Sequence, residues 1–190
     1  DVVLSGTMGV GAPPLKTWVA VHDPGLFTGA VFGRRLAEAG IRAECVRRAE
    51  QDLDYSDARL LTVNTSPALS VTVKVTNRRS QNFYAEMLLK YLGYRRSGKG
   101  SFQEGSAAVR DILTGMGMDL EDVIIDDGGG LSRKNRVSVG KITELLAFMY
   151  RSEYRDVFLA SLAVPGDPDG TLRRRLRGTA LTGKVYAKSG

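Results

Sequence analysis

The stretch VTNRRSQNFYAEMLLKYLG, residues 75–93, decides how this chain is read. Tyr84, Leu88 and Tyr91 recur at i, i+4 and i+7, the spacing of one helix face, and Gly93 is the expected stop. Ser80, Gln81 and Asn82 stand directly in front of that pattern. A serine at a helix start is usually an N-cap, accepting a backbone N–H that has no partner in the first turn. A Ser-x-Asn at a helix mouth can also present a hydroxyl and an amide to a substrate. Upstream, Val71, Val73 and Val75 alternate, which on its own favours a strand, because β-branched side chains suit a pleated surface.

Composition bounds the answer. The 190 residues are 43% apolar and 25% charged, an ordinary globular balance with enough apolar side chains for a core. No apolar run reaches the roughly 20 residues that span a bilayer. Cys45 is the single cysteine and His22 the single histidine, so an internal disulfide, a thiolate cluster and a His-rich metal site have nothing to draw on. No metal and no cofactor is expected. The formal net charge of +6 suits an anionic partner. The densest basic run, Leu172-Arg173-Arg174-Arg175-Leu176-Arg177, reads as a solvated helix face with Gly178 as its stop, since no nucleic-acid module accompanies it.

Along the chain, residues 1–15 are rich in Gly and Pro and begin as a strand. Asp23 and Pro24 mark a helix start, as N-cap and first helical residue, with Phe32 and Leu36 on one face and Gly40 at the end. Ile41, Ala43 and Cys45 alternate with polar residues as a half-buried strand does. Residues 47–59 read as a connector, and the change of composition near residue 60 is the expected domain boundary. Leu60–Asn64 is a candidate short strand. Ser101 and Glu104 form a capping box before the helical set Val109, Ile112, Leu113 and Met116. Val123–Ile125 reads as a buried strand broken by Asp126-Asp127-Gly128-Gly129-Gly130. Ile142, Leu145, Leu146 and Met149 predict another helix, Tyr154–Leu162 a further one, and Val185 and Ala187 a last strand before Lys188-Ser189-Gly190.

Two stretches imitate catalytic motifs. Gly93 to Gly100 fits a phosphate-binding loop except at its last place, where Gly100 replaces the Ser or Thr that would hold magnesium, and it follows a helix rather than a strand. Ser138-Val139-Gly140-Lys141 is the only Ser-x-x-K in the chain. A lysine three residues on could activate that serine, yet Ser138 also stands where an N-cap belongs, and the cap is the reading adopted.

Ser80-Gln81-Asn82 gains weight when Lys188-Ser189-Gly190 is set beside it. Ser-x-Asn and Lys-(Thr/Ser)-Gly are two of the three elements of penicillin-recognising serine enzymes. The stretches VTNRRSQNFYAEMLLKYLG, GKGSFQEGSAAV, DDGGGLSRKNRVS, DGTLRRRL and GKVYAKSG follow in order. On these the chain resembles the class C low-molecular-mass penicillin-binding proteins, D-alanyl-D-alanine carboxypeptidases/endopeptidases. DPGLFTGAVFGRRLAEAGI is similar to part of the domain inserted in that family's catalytic domain.

The resemblance implies an α/β architecture of the α+β type, an antiparallel sheet with helices. Residues 1–60 would be the end of an inserted α/β domain, and residues 61–190 the C-terminal part of the catalytic domain. It places residues 69–77 in a helix, against the valine alternation. It implies a serine acyl-transfer enzyme of the bacterial cell wall, periplasmic or otherwise outside the cytoplasmic membrane and compatible with peripheral attachment to it. Peptidoglycan stem peptides would be its substrates and β-lactams its inhibitors. Ser80 would relay a proton to the leaving amine, Asn82 would hold the substrate amide and the general-base lysine, and Lys188 would supply positive charge. Ser189 would bind the substrate carboxylate, and Gly190 would let the substrate backbone lie close. Gln81 and Ser189 are mild departures from the pattern. The larger one is that nothing before residue 80 fits the nucleophilic Ser-x-x-K, so the chain is expected to be an internal piece of the enzyme. A peptidoglycan-binding pseudo-enzyme and, less favoured, a basic nucleic-acid-binding protein are the alternatives.

Overall fold

The computed structural model describes residues 5–17, 19–49 and 54–190. The expected strand start at residues 1–4 and part of the connector, 50–53, lie outside them. The chain divides into two compact units, Asp1–Val63 and Asn64–Gly190.

The first unit holds one helix, α1 (Pro24–Glu38). Asp23 caps it as the sequence predicts, its carboxylate accepting from Leu26 N at 3.0 Å. Arg48 binds the same carboxylate at 2.8 Å, tying the following segment back to the helix start. The strand expected through Ile41, Ala43 and Cys45 does not form: these residues are exposed and pair with no neighbouring strand. Val46 makes the contact instead. A Cβ on Gly29 would lie 2.7 Å from its Cγ1, so the helix offers Val46 a seat that only glycine leaves open. Leu60–Asn64 likewise forms no strand.

The second unit contains α2 (Leu69–Arg79), α3 (Asn82–Ser97), α4 (Phe102–Gly115), α5 (Val139–Arg151) and α6 (Arg155–Ser161). The alternating valines are helical, as the family resemblance implies. α3 runs through Gly93 and stops at Gly98, whose φ of 76° supplies the left-handed turn. Gly93 is used for packing: a Cβ there would stand 2.6 Å from Gly105 N, because α3 and α4 cross at these two glycines. The Gly93–Gly100 stretch is therefore mostly helix and no phosphate loop. Ser101 caps α4 through Glu104 N at 3.1 Å, but the Glu104 carboxylate does not close the capping box. It pairs with Arg96 at 2.9 Å, linking α4 to the end of α3.

Met118, Leu120 and Val123 form a buried cluster against Leu113, Met116, Ile125 and Leu145. Arg110 holds the turn beneath it, donating to the carbonyls of Val123 and Leu120. Among the described residues no strand forms. The two predicted β segments survive as isolated antiparallel bridges, Ile124 with Arg136 and Ala163 with Ala187. An edge without a neighbouring strand has no ladder to extend. The basic run 172–177 is also not helical: it is a chain of turns in which Leu172 is buried and Leu176 takes a left-handed φ of 55°. Leu172 and Leu176 thus do not share a helix face.

Candidate active site

Ser80 is the C-terminal cap of α2, not the N-cap of α3. Its φ and ψ are both 53°, in the left-handed region. Gln81 N bonds back to Thr76 O at 3.0 Å, closing the last turn. Gln81 is the N-cap of α3 and gives no side-chain bond. The Ser80 hydroxyl is therefore not consumed by either helix end. Left-handed backbone is unfavourable for an L residue outside Gly and Asn, so the sharp reversal between two helices is made with strain.

Three ties bring the distant Lys188 to this corner. Asn77 on α2 donates to the buried Ser161 Oγ at 2.9 Å, locking α2 to α6. Directly after α6, Ala163 and Ala187 exchange two backbone bonds of 3.0 Å. Finally Thr171 N donates to Arg78 O at 3.0 Å, while Ser189 Oγ donates to Thr171 Oγ1 at 2.9 Å. The Asp167–Thr171 turn is fixed to α2 by Arg78 on Asp167 at 3.1 Å and Arg79 on Asp169 at 3.3 Å.

The outcome is a direct bond between residues 108 apart in sequence: Lys188 Nζ donates to Ser80 Oγ at 2.8 Å. The ammonium also donates to the Ser189 carbonyl. Partial burial lowers the Lys188 pKa below the ordinary lysine range. Asn82, in the first turn of α3, lies next to Gly129: a Cβ on Gly129 would lie 3.3 Å from Asn82 Cβ. Gly190 ends the segment beside Lys188 and is exposed.

The glycine-rich loop near Asn82 is rigidly held. Glu86, one turn along α3, accepts from Gly128 N and Gly129 N at 3.1 and 3.2 Å. Asp127 accepts from the backbone of Gly130, Leu131 and Ser132 and from Asn135. Burial works against its ionisation, but the bonds from Asn135, Ser132, Gly130 and Leu131 together outweigh it and hold the carboxyl below the usual range. Among the described residues no group of His, Cys, Asp and Glu side chains could hold a metal ion.

A known family matches the chain over residues 1–190. The chain belongs to the D-Ala-D-Ala carboxypeptidase 3 (S13) family. It is 32% identical to the D-alanyl-D-alanine carboxypeptidase of Actinomadura sp. (strain R39), over 100% of this chain and 36% of that protein. It is 27% identical to the D-alanyl-D-alanine carboxypeptidase DacB of Haemophilus influenzae, over 93% of this chain and 37% of the relative. The solved structure of penicillin-binding protein 4 (dacB) from H. influenzae, complexed with a β-lactam, superposes with a TM-score of 0.77 at 26% identity, over 90% of this chain and 40% of that one. The chain thus spans well under half the length of these S13 relatives. The penicillin-binding fold is the one they share, while its sheet is reduced among the described residues to the two bridges.

Ser138 stands outside this corner. Its hydroxyl accepts from Lys141 N at 3.2 Å as the N-cap of α5, and the Lys141 ammonium turns to Glu144 at 3.4 Å. Sequence reasoning missed Glu86 and Thr171. Glu86 lies four residues after Asn82, on the same helix face, a spacing that could have flagged it. Thr171 is visible only in the folded chain.

Proposed function

We propose that this chain forms the leaving-group side of a serine D-Ala-D-Ala peptidase acting on peptidoglycan stem peptides outside the cytoplasmic membrane. The observation that carries the reading is the 2.8 Å bond from Lys188 Nζ to Ser80 Oγ. A hydroxyl that accepts from an ammonium keeps its own proton for a second partner. In acyl transfer, a serine Oγ–C bond forms and the amide C–N bond breaks, and the departing amine must gain a proton. Ser80 delivers that proton and is reprotonated by the lysine of the Ser-x-x-K that took it from the nucleophile. Asn82 has a donor and an acceptor on one amide, which suits it to hold the substrate amide and that lysine together.

Lys188 has three N–H groups, two of them directed at Ser80 and the Ser189 carbonyl. The third is free for the terminal carboxylate of the peptide, beside the Ser189 hydroxyl. Gly190 leaves room for the peptide backbone to approach. β-Lactams would enter the same corner as mimics of the D-Ala-D-Ala end.

The test uses the natural protein that carries this chain, with fluorescent penicillin and a D-Ala-D-Ala peptide. Wild type and Ser138→Ala should be acylated at similar rates. Lys188→Ala and Ser80→Ala should lose about 100-fold or more in acylation, the size expected for a removed proton-transfer group. Muropeptide binding without acylation by the wild type would favour a non-catalytic binding role. Acylation abolished in a folded Ser138→Ala protein would move the nucleophile to Ser138 and overturn the assignment.

A further inference from the structure

The arginine run 173–177 is not absorbed by the reaction described above, and its structure differs from a solvated helix face. Leu172 is buried and anchors the run. The left-handed Leu176 reverses it, and the Leu176 carbonyl accepts from the hydroxyls of Thr179 and Thr182 at 2.8 and 3.0 Å, which fixes the turn. Arg173 lines two neighbouring cavities. One, of about 340 Å³, is walled by Arg79, Asp169, Gly170, Thr171 and Arg173. The other, of about 450 Å³, is walled by Gly166, Pro168, Arg173, Arg174 and Arg177. The nearby carboxylates are already engaged, Asp167 by Arg78 and Asp169 by Arg79. Among the described residues no carboxylate pairs with Arg173, Arg174 or Arg177.

Thr171 connects this basic concavity to the candidate site, because it receives the Ser189 hydroxyl at 2.9 Å. Ser189 and Lys188 face the end of the peptide that departs. We propose that Arg173, with Arg79 and Arg174 beside it, forms a subsite for a second carboxylate carried by the leaving group. This inference rests on the peptidase reading and adds to it a preference for acidic leaving residues. A guanidinium presents paired donors matched to a carboxylate. Cavity size and the fixed turn favour one anionic group of a substrate over a long polymer. The subsite works in ground-state binding and departure, and takes no part in bond making.

The experiment compares two peptides with the same acyl half, one ending in D-Ala-D-Ala and the other in D-Ala-D-Glu, in the natural protein. The ratio of kcat/KM for the D-Glu over the D-Ala peptide is the readout. Arg173→Gln should lower that ratio about three- to tenfold, the range for a partly exposed charge-assisted contact. Arg173→Lys should restore part of it. In wild type the ratio should fall as salt is raised, since exposed charge contacts are screened. Arg174→Gln provides a second variant should Arg173→Gln fold poorly, with penicillin acylation reporting a folded site. An acylated protein whose ratio is unchanged in both Gln variants overturns the subsite alone. A wild-type protein that penicillin does not acylate overturns the peptidase reading and this subsite with it. If the variants instead lose affinity for inorganic polyphosphate while the ratio holds, the arginines serve a polyanion and the subsite is wrong.

Discussion

Ser80 carries the hydroxyl proposed to relay a proton on a backbone that an L residue adopts at a cost, and that cost can be measured. Its φ and ψ of 53° lie in the left-handed region. Placing a Cβ there costs about 1–2 kcal/mol, and glycine removes that cost. Glycine also loosens the unfolded chain, which takes back about 0.4–1 kcal/mol. Ser80→Gly and Ser80→Ala both lose the bond from Lys188, so that term cancels between them. Ser80→Gly should therefore be more stable than Ser80→Ala by about 1 kcal/mol, or about 2–4 °C in Tm for a chain of this size. Against wild type, the glycine variant should come out near neutral, because the lost Lys188 bond is worth about 0.5–1.5 kcal/mol. Urea unfolding with unchanged m-values reads the stability difference directly. Penicillin acylation of the natural protein reads function, and both variants should be equally impaired. This separation of backbone strain from hydroxyl chemistry is what a functional serine at a helix stop requires. An alanine variant as stable as the glycine variant would show that Ser80 is not held left-handed. A glycine variant that acylates at the wild-type rate would remove the hydroxyl from the reaction.

Two further outcomes follow from the geometry. Gly105→Ala should destabilise by about 1–3 kcal/mol, the usual range for overpacking, because its new Cβ would meet the immovable Leu89 backbone, whereas Gly115→Ala in the same helix has open space around it and should be neutral or gain about 0.5–1 kcal/mol; thermal melts of the two variants compare them. Lys188 should lose its charge at lower pH than a free lysine, since burial lowers its pKa. The alkaline limb of kcat/KM for a D-Ala-D-Ala peptide should accordingly lie below the ordinary lysine range and move upward in Lys188→Arg. The same shift means the unfolded chain binds more protons in the window between the folded pKa and the ordinary one, so stability should rise with pH there and fall as pH drops through the folded value.

The sequence made some elements readable and hid others for identifiable reasons. Helix starts at Asp23, Ser101 and Ser138 were readable because a cap is a local event, settled by one side chain and the next three residues. Helix stops were mixed: Gly40 ends α1 with a left-handed φ of 80°, whereas Gly93 looks like a terminator but serves a crossing with Gly105, and only the tertiary contact separates the two uses. The valines of α2 alternate, yet they sit on a helix wedged between α6 and α3, where packing overrides β propensity. The strand readings were weakest because pairing depends on partners distant in sequence: two of the expected strands keep a single bridge each, and those through residues 41–45 and 60–64 keep none.

The candidate site divides along the same line. The resemblance of its motifs to a family singled out Ser80, Asn82 and Lys188, and of these the structure brings Ser80 and Lys188 into direct contact. What brings them together is a chain of unremarkable bonds. Asn77 meets Ser161, Ala163 meets Ala187, and the Arg78 carbonyl meets Thr171, which in turn meets Ser189. None of these has a motif, since a backbone carbonyl accepts from any N–H and a serine is a serine at any position. The ties form two routes from α2 to the Lys188 segment: one through Ser161, α6 and the Ala163–Ala187 bridge, the other through Thr171 to Ser189. The 2.8 Å Lys188–Ser80 bond therefore rests on the set of ties rather than on its own strength, which for an exposed pair is about 1 kcal/mol or less.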